Sequence, residues 1–182
     1  NRTSEWADNR RLVAGDYVKI DPEKRLPYDE MPETQAVIKQ VTGMDDGKVI
    51  ASIAVGSSSN FIVVDTRESK QIASPFLLMQ DDNSGCSKGI WSDEITTIGR
   101  SKANAADRFP GLADDVGVSH EHFSLWYSAD EDILFLQDSA SRNGTCVSGY
   151  VVEQDTGGDV AFKTDDIASS YTSSFMQVAR RA

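Results

Sequence analysis

Apolar residues along the chain fall in short runs rich in Val, Ile, Phe, Thr and Tyr, bounded by Gly, Asp, Asn or Ser. Helical periodicity is scarce, so the pattern predicts a mainly β protein built from hairpins. Within Leu12–Ile20, Val18 and Ile20 alternate with charge after a Gly15-Asp16 turn, which predicts a first strand. A loop rich in Pro and acids runs on through Pro22, Pro27 and Pro32. The runs Ala36–Val41 and Lys48–Val55 flank Met44-Asp45-Asp46-Gly47 and predict a hairpin, because Asp-Gly between apolar runs suits a tight turn. Phe61–Asp65 adds a strand, and the polar stretch Thr66–Ser74 reads as a boundary.

The organisation expected is therefore two units. Residues 1–70 would form a small β-rich domain compatible with an SH3-like barrel, or a β extension packed on the second unit. Residues 75–182 hold many closely spaced apolar runs, among them Phe76–Met79, Gly89–Trp91, Glu94–Ile98, Phe123–Tyr127, Asp132–Gln137, Cys146-Val147, Tyr150–Val152 and Ser174–Val178. That rhythm predicts a β-sandwich with its loops clustered at the sheet ends, where binding residues concentrate.

Charge narrows the function classes. Eighteen Lys and Arg face 29 Asp and Glu, giving a net charge of −11, which disfavours a nonspecific grip on nucleic acid or an anionic membrane. Any anion site must be local. No apolar run is long enough to span a bilayer and no signal peptide opens the chain. Because the first residue is Asn1, that absence does not restrict a longer parent protein. Cys86 and Cys146 show no metal-ligand spacing and read as reduced thiols of a cytoplasmic or other intracellular protein.

Between Ile95 and Gly149, three polar motifs sit where strands give way to loops: Ile98-Gly99-Arg100-Ser101, Ser119-His120-Glu121-His122 and Ser141-Arg142-Asn143-Gly144-Thr145. Together they offer what a phosphate dianion requires: a guanidinium fork, hydroxyls, and an amide beside a turn that Gly permits. Alternation would put His120 and His122 on one face, which raises a zinc site, but no third ligand is evident. A hydrolase using Ser119, a His and Asp138 lacks the nucleophile-elbow context. No cofactor or metal is expected, and no catalysis.

Taken in order, the motifs resemble the forkhead-associated (FHA) domain, a β-sandwich that recognises phosphothreonine. Gly99-Arg100, Ser119-x-x-His122 and Asp138-x-x-Ser141-x-Asn143-Gly144-Thr145 match its pattern, and the likeness extends over about residues 75–180. Phe162-Lys-Thr-Asp165-Asp166-Ile167 is similar to the family's late Leu-x-x-Gly-Asp-x-Ile turn, and Phe175 to Val178 to its closing strand. The resemblance implies that Arg100 and Ser119 bind the phosphate with Ser101 beside them. Asn143 would hold the ligand backbone and Arg142 would offer its amide. Gly99, His122 and Gly144 would support the loops. It implies a phosphothreonine protein or peptide as partner, with neither nucleic acid nor membrane, in Ser/Thr-kinase-dependent signalling. The alternative is an FHA-fold scaffold that binds proteins without phosphate. Departures include His120 where the family often has Arg, Ser148-Gly149 in place of Asn-Gly, and Asp165 in place of the turn Gly.

Overall fold

The computed structural model describes residues 5–43, 47–67, 77–81, 85–92, 94–101 and 109–155, with the backbone alone at 5–9, 41 and 42. The late turn expected at 162–167 and the closing strand at 175–178 lie outside these residues, as do 68–76 and the turn residues 44–46.

Among the described residues, ten strands and one α-helix run in the order β1 (Glu5–Leu12), β2 (Tyr17–Ile20), α1 (Pro32–Thr42), β3 (Lys48–Val55), β4 (Ser59–Asp65), β5 (Leu77–Asp81), β6 (Ser87–Ile90), β7 (Ile95–Ile98), β8 (Phe123–Ser128), β9 (Ile133–Asp138) and β10 (Thr145–Asp155). The all-β sandwich expected from the sequence is found. The strands hydrogen-bond in the order β6-β5-β4-β3-β10-β2-β9-β8-β7, with β1 also on β10, and the long sheet folds back to enclose one main core. Phe61 of β4 meets Phe123 of β8 edge-on at 5.9 Å and Phe109 at 5.1 Å, so residues from both sides of the sandwich interlock at its centre.

The division into a separate domain at residues 1–70 is not what the strands form. β10 pairs with β1 and β3 through its first half and with β2 through its second, and β4 pairs with β5. Leu12, Val18, Ile20, Ile53 and Phe61 lie in the same buried cluster as Met79, Leu125, Leu136 and Val147. Neither stretch can bury its apolar face without the other, which is the physical reason that one core replaces two.

The hairpin expected at Ala36–Val55 is corrected in its first half, since residues 32–42 are helical. Pro32 suits the first helical turn, where its missing N–H has no partner to lose, and Glu33 complements the positive end of the helix dipole. Gly43 ends the helix in the left-handed conformation at φ 76°, its N–H bonded to Lys39 O. These end signals override the β-branched run Val37-Ile38. Ile38 packs with Leu26, Val49, Ile62 and Val64 on the outer face of β3 and β4, so those strands are buried on both faces and read as continuous apolar runs. No helix among the described residues is long and apolar enough to cross a membrane.

Candidate functional site

At one end of the sandwich the three polar motifs come together. The first comes after β7 and the second precedes β8, and because β7 pairs with β8 the two are zipped side by side. Arg100 N donates to Ser119 O at 2.9 Å and His122 N to Ile98 O at 2.8 Å. Gly99 permits this approach, since a Cβ there would stand 1.9 Å from His120 O. Arg100 is half-buried, and its Nε donates to Val118 O at 3.0 Å. That bond orients the guanidinium through the donor outside its terminal fork. Ser101 N reaches His120 O at 3.5 Å, a longer contact that continues the zipper.

The third motif is organised from beneath by Asp138, fully buried at the end of β9. Its carboxylate accepts from Ser141 N at 2.9 Å, from the Ser141 hydroxyl, and from Thr145 Oγ1 at 2.8 Å. Ser141 Oγ in turn accepts from Gly144 N at 3.0 Å. The turn thus consumes the short polar side chains and leaves Arg142 and Asn143 exposed at its tip. Gly144 sits at φ 82°, a left-handed conformation that suits Gly, and a Cβ there would also press to 3.1 Å from Leu12 O.

Two hydrogen bonds join the second motif to the third. Arg142 N donates to Ser119 Oγ at 3.0 Å, and Asn143 Nδ2 to Gly117 O at 2.9 Å. His122 braces the same junction from inside. Fully buried, it accepts from Ser119 N at Nδ1 at 3.0 Å, which fixes the proton on Nε2 for donation to Gly144 O at 2.8 Å. Both ring nitrogens are therefore committed to backbone, and neither serves the Ser119 hydroxyl. The strand begins only at Phe123, so His120 is exposed while His122 is buried, and the shared face expected from alternation does not form.

Residues from the N-terminal stretch complete this end, and sequence reasoning missed them. Asp115 reaches across to the β3–β4 turn, accepting from Ser57 N, Ser58 N and Ser59 Oγ as well as from Gly117 N, at 2.9 to 3.1 Å. Burial raises the Asp115 carboxyl, but these hydrogen bonds win and hold it below the usual carboxylate range. The turns touch backbone to backbone, since a Cβ on Gly117 would lie 2.9 Å from Gly56 Cα. From β1, Arg11 extends its guanidinium over Gly144 and donates from Nη2 to Asn143 O at 2.8 Å.

The tight turn between β1 and β2 is also part of the foundation. Val13 O accepts from Asp16 N at 2.9 Å around Ala14 and Gly15, both with positive φ. Asp16 O then accepts from Asp138 N at 3.0 Å, and Gly15 O from Gln137 Nε2 at 3.0 Å. A signal for it was present: Leu12-x-x-Gly15-Asp16-x-Val18 fits the Leu-x-x-Gly-Asp-x-Ile pattern and retains the Gly that 162–167 lacks.

Residues 96–167 match the family model described as FHA domain, a span containing all three motif loops. No curated protein and no solved structure matches the chain.

Proposed function

The chain carries an FHA domain, a module that generally recognises phosphopeptides and mediates protein interaction, and on that premise we propose that it reads phosphothreonine in a partner protein. The observation that carries this reading is the Arg142 N to Ser119 Oγ hydrogen bond at 3.0 Å. A hydroxyl that accepts from an amide keeps its own proton for another acceptor, so Ser119 is set to donate to a phosphate oxygen. Arg100, oriented through Nε, supplies the permanent charge, and Ser101 lies next to it. Asn143, tied to Gly117 O, presents its amide group to the ligand backbone beside the phosphothreonine. Gly99, His122 and Gly144 hold the loops in register.

Phosphothreonine brings about −1.5 to −2 charges and three acceptor oxygens, and charge-assisted hydrogen bonds contribute roughly 1.5 to 3 kcal/mol each. Two or three such bonds contribute roughly 3–9 kcal/mol before the ordering cost, so micromolar affinity, about −8 kcal/mol, also draws on contacts along the peptide backbone. FHA domains are typically non-catalytic, and the committed imidazole of His122 gives Ser119 no general base, which favours binding over hydrolysis. The reading places the protein downstream of a Ser/Thr kinase in the same compartment.

Fluorescence anisotropy tests it. A degenerate phosphothreonine peptide pool is expected to bind at micromolar concentration, while phosphoserine and unphosphorylated pools bind much more weakly. Equal binding to all three would sink the reading and favour a phosphate-independent scaffold.

A further inference from the structure

Arg11 stands outside the span matched by the family model, yet its guanidinium reaches the third recognition loop. It is an exposed side chain on β1, and it crosses above Gly144 to donate from Nη2 to the main-chain carbonyl of Asn143 at 2.8 Å. The approach depends on a bare glycine, since a Cβ on Gly144 would lie 2.7 Å from Arg11 Nε. β1 itself is anchored along β10, with Arg11 opposite Cys146 and Leu12 opposite Thr145 in the register. Its base is therefore fixed, its tip is steered by one hydrogen bond to a carbonyl, and its charge is not neutralised by that neutral acceptor.

We propose that Arg11 forms a second anionic subsite, selecting an Asp or Glu side chain close to the phosphothreonine of the ligand. This rests on the phosphothreonine reading above, and specifies the peptide class that the same site prefers. Asn143, the residue assigned to the ligand backbone, is the one whose carbonyl Arg11 holds, so a bound peptide runs past the guanidinium. The adjacent residue Arg142 is also exposed, and in a chain of net charge −11 this end gathers Arg11, Arg100 and Arg142. An acidic flank would meet attraction here and repulsion elsewhere on the surface. Arg is also suited to the task by geometry, because its planar fork accepts a carboxylate while one nitrogen stays bonded to the loop.

The test compares phosphothreonine peptides scanned with Glu, Ala or Lys at each flanking position, and their unphosphorylated counterparts, against wild type, Arg11→Ala, Arg11→Glu and Arg100→Ala. The expected result is a Glu advantage over Ala of about two- to fivefold at one or two positions at low salt, shrinking as salt rises. Arg11→Ala abolishes that advantage, so that Glu- and Ala-flanked phosphopeptides bind alike, and Arg11→Glu shifts the preference to Lys. A thermal melt unchanged in Arg11→Ala verifies that the fold is intact. Persistence of the Glu advantage in Arg11→Ala, or an equal loss for Glu- and Ala-flanked peptides, overturns the proposal; the second outcome makes Arg11 a brace for Asn143 only. Binding that depends on phosphate and on Arg100 but shows no flank preference overturns the subsite and leaves the phosphothreonine reading standing. Binding indifferent to phosphate removes that reading, and the subsite with it.

Discussion

Asp115 and Gly117 sit two residues apart on the loop before β8, and between them they fasten the β3–β4 turn to the end where the three motifs meet. Asp115 gathers the amides of Ser57 and Ser58 and the Ser59 hydroxyl, while Gly117 presses on Gly56 and offers its carbonyl to Asn143. A residue that touches no ligand in the proposed scheme thereby sets where Asn143 can stand.

Asp115→Asn is expected to lower stability by about 1–3 kcal/mol at neutral pH, the scale of hydrogen bonds to a charged acceptor. The folded-state carboxyl is held below 3.8, so its contribution is fully present above the unfolded value and is lost as pH falls through the folded one. Urea melts at a series of pH values check this: the gap between wild type and variant should be constant near neutrality and close only below about pH 4.

Gly99→Ala should be among the most damaging single changes at this end. Its Cβ would overlap His120 O, a backbone atom that cannot step aside alone, so the zipper between the first two motifs must open. We expect a loss of about 2 kcal/mol or more and a phosphopeptide affinity reduced at least tenfold. Hydrogen exchange at the Arg100 and His122 amides, now bonded across that zipper, reports the opening directly.

His122→Ala leaves Ser119 N and Gly144 O without their partners inside the fold. A cost of about 2–4 kcal/mol arises from the lost hydrogen bonds and the cavity, with binding weakened in parallel. Arg100→Ala should do the reverse, removing phosphopeptide binding with a melting temperature within a few degrees of wild type, because it takes away a loop charge and no core packing. Calorimetry and anisotropy on the same pair of variants separate the two roles.

Deleting residues 1–70 should abolish folding and binding together. The remaining chain would lack β1, β2, β3 and β4, and with them the partners of β10 on both of its edges. Circular dichroism and anisotropy on the shortened chain distinguish this from an autonomous domain, which would keep a β spectrum and micromolar affinity.

The sequence is most legible where function is written in loops. Gly99, Arg100, Ser119, His122, Asn143 and Gly144 can be picked out because small and polar residue types at strand ends have few other uses, and the structure brings them to one end. The helix at residues 32–42 is disguised because Val37 and Ile38 carry strand propensity, although Pro32 and Gly43 mark its ends. The partition of the chain fails for a different reason: pairing between Glu5–Leu12 and Thr145–Val151 joins residues remote in sequence, and no local pattern encodes it. Arg11 looks like a solvated charge in the sequence, since only that long-range pairing brings it to Asn143, and Asp115 meets Ser57 through a contact that is likewise remote in sequence.

Placing β10 at the centre of the sheet has a consequence for how the protein is made. On the ribosome, β1, β2 and β3 emerge before β10, each with one edge waiting for a strand about half the chain or more away. Nonlocal pairing of this kind is slow and leaves edges exposed in the meantime. The end where the three motifs meet, whose third loop leads straight into Thr145, can close only when β10 slides between β1 and β3. Nascent chains halted before Thr145 should therefore be inert towards phosphopeptide and dependent on chaperones, and competence to bind should appear in a single late step.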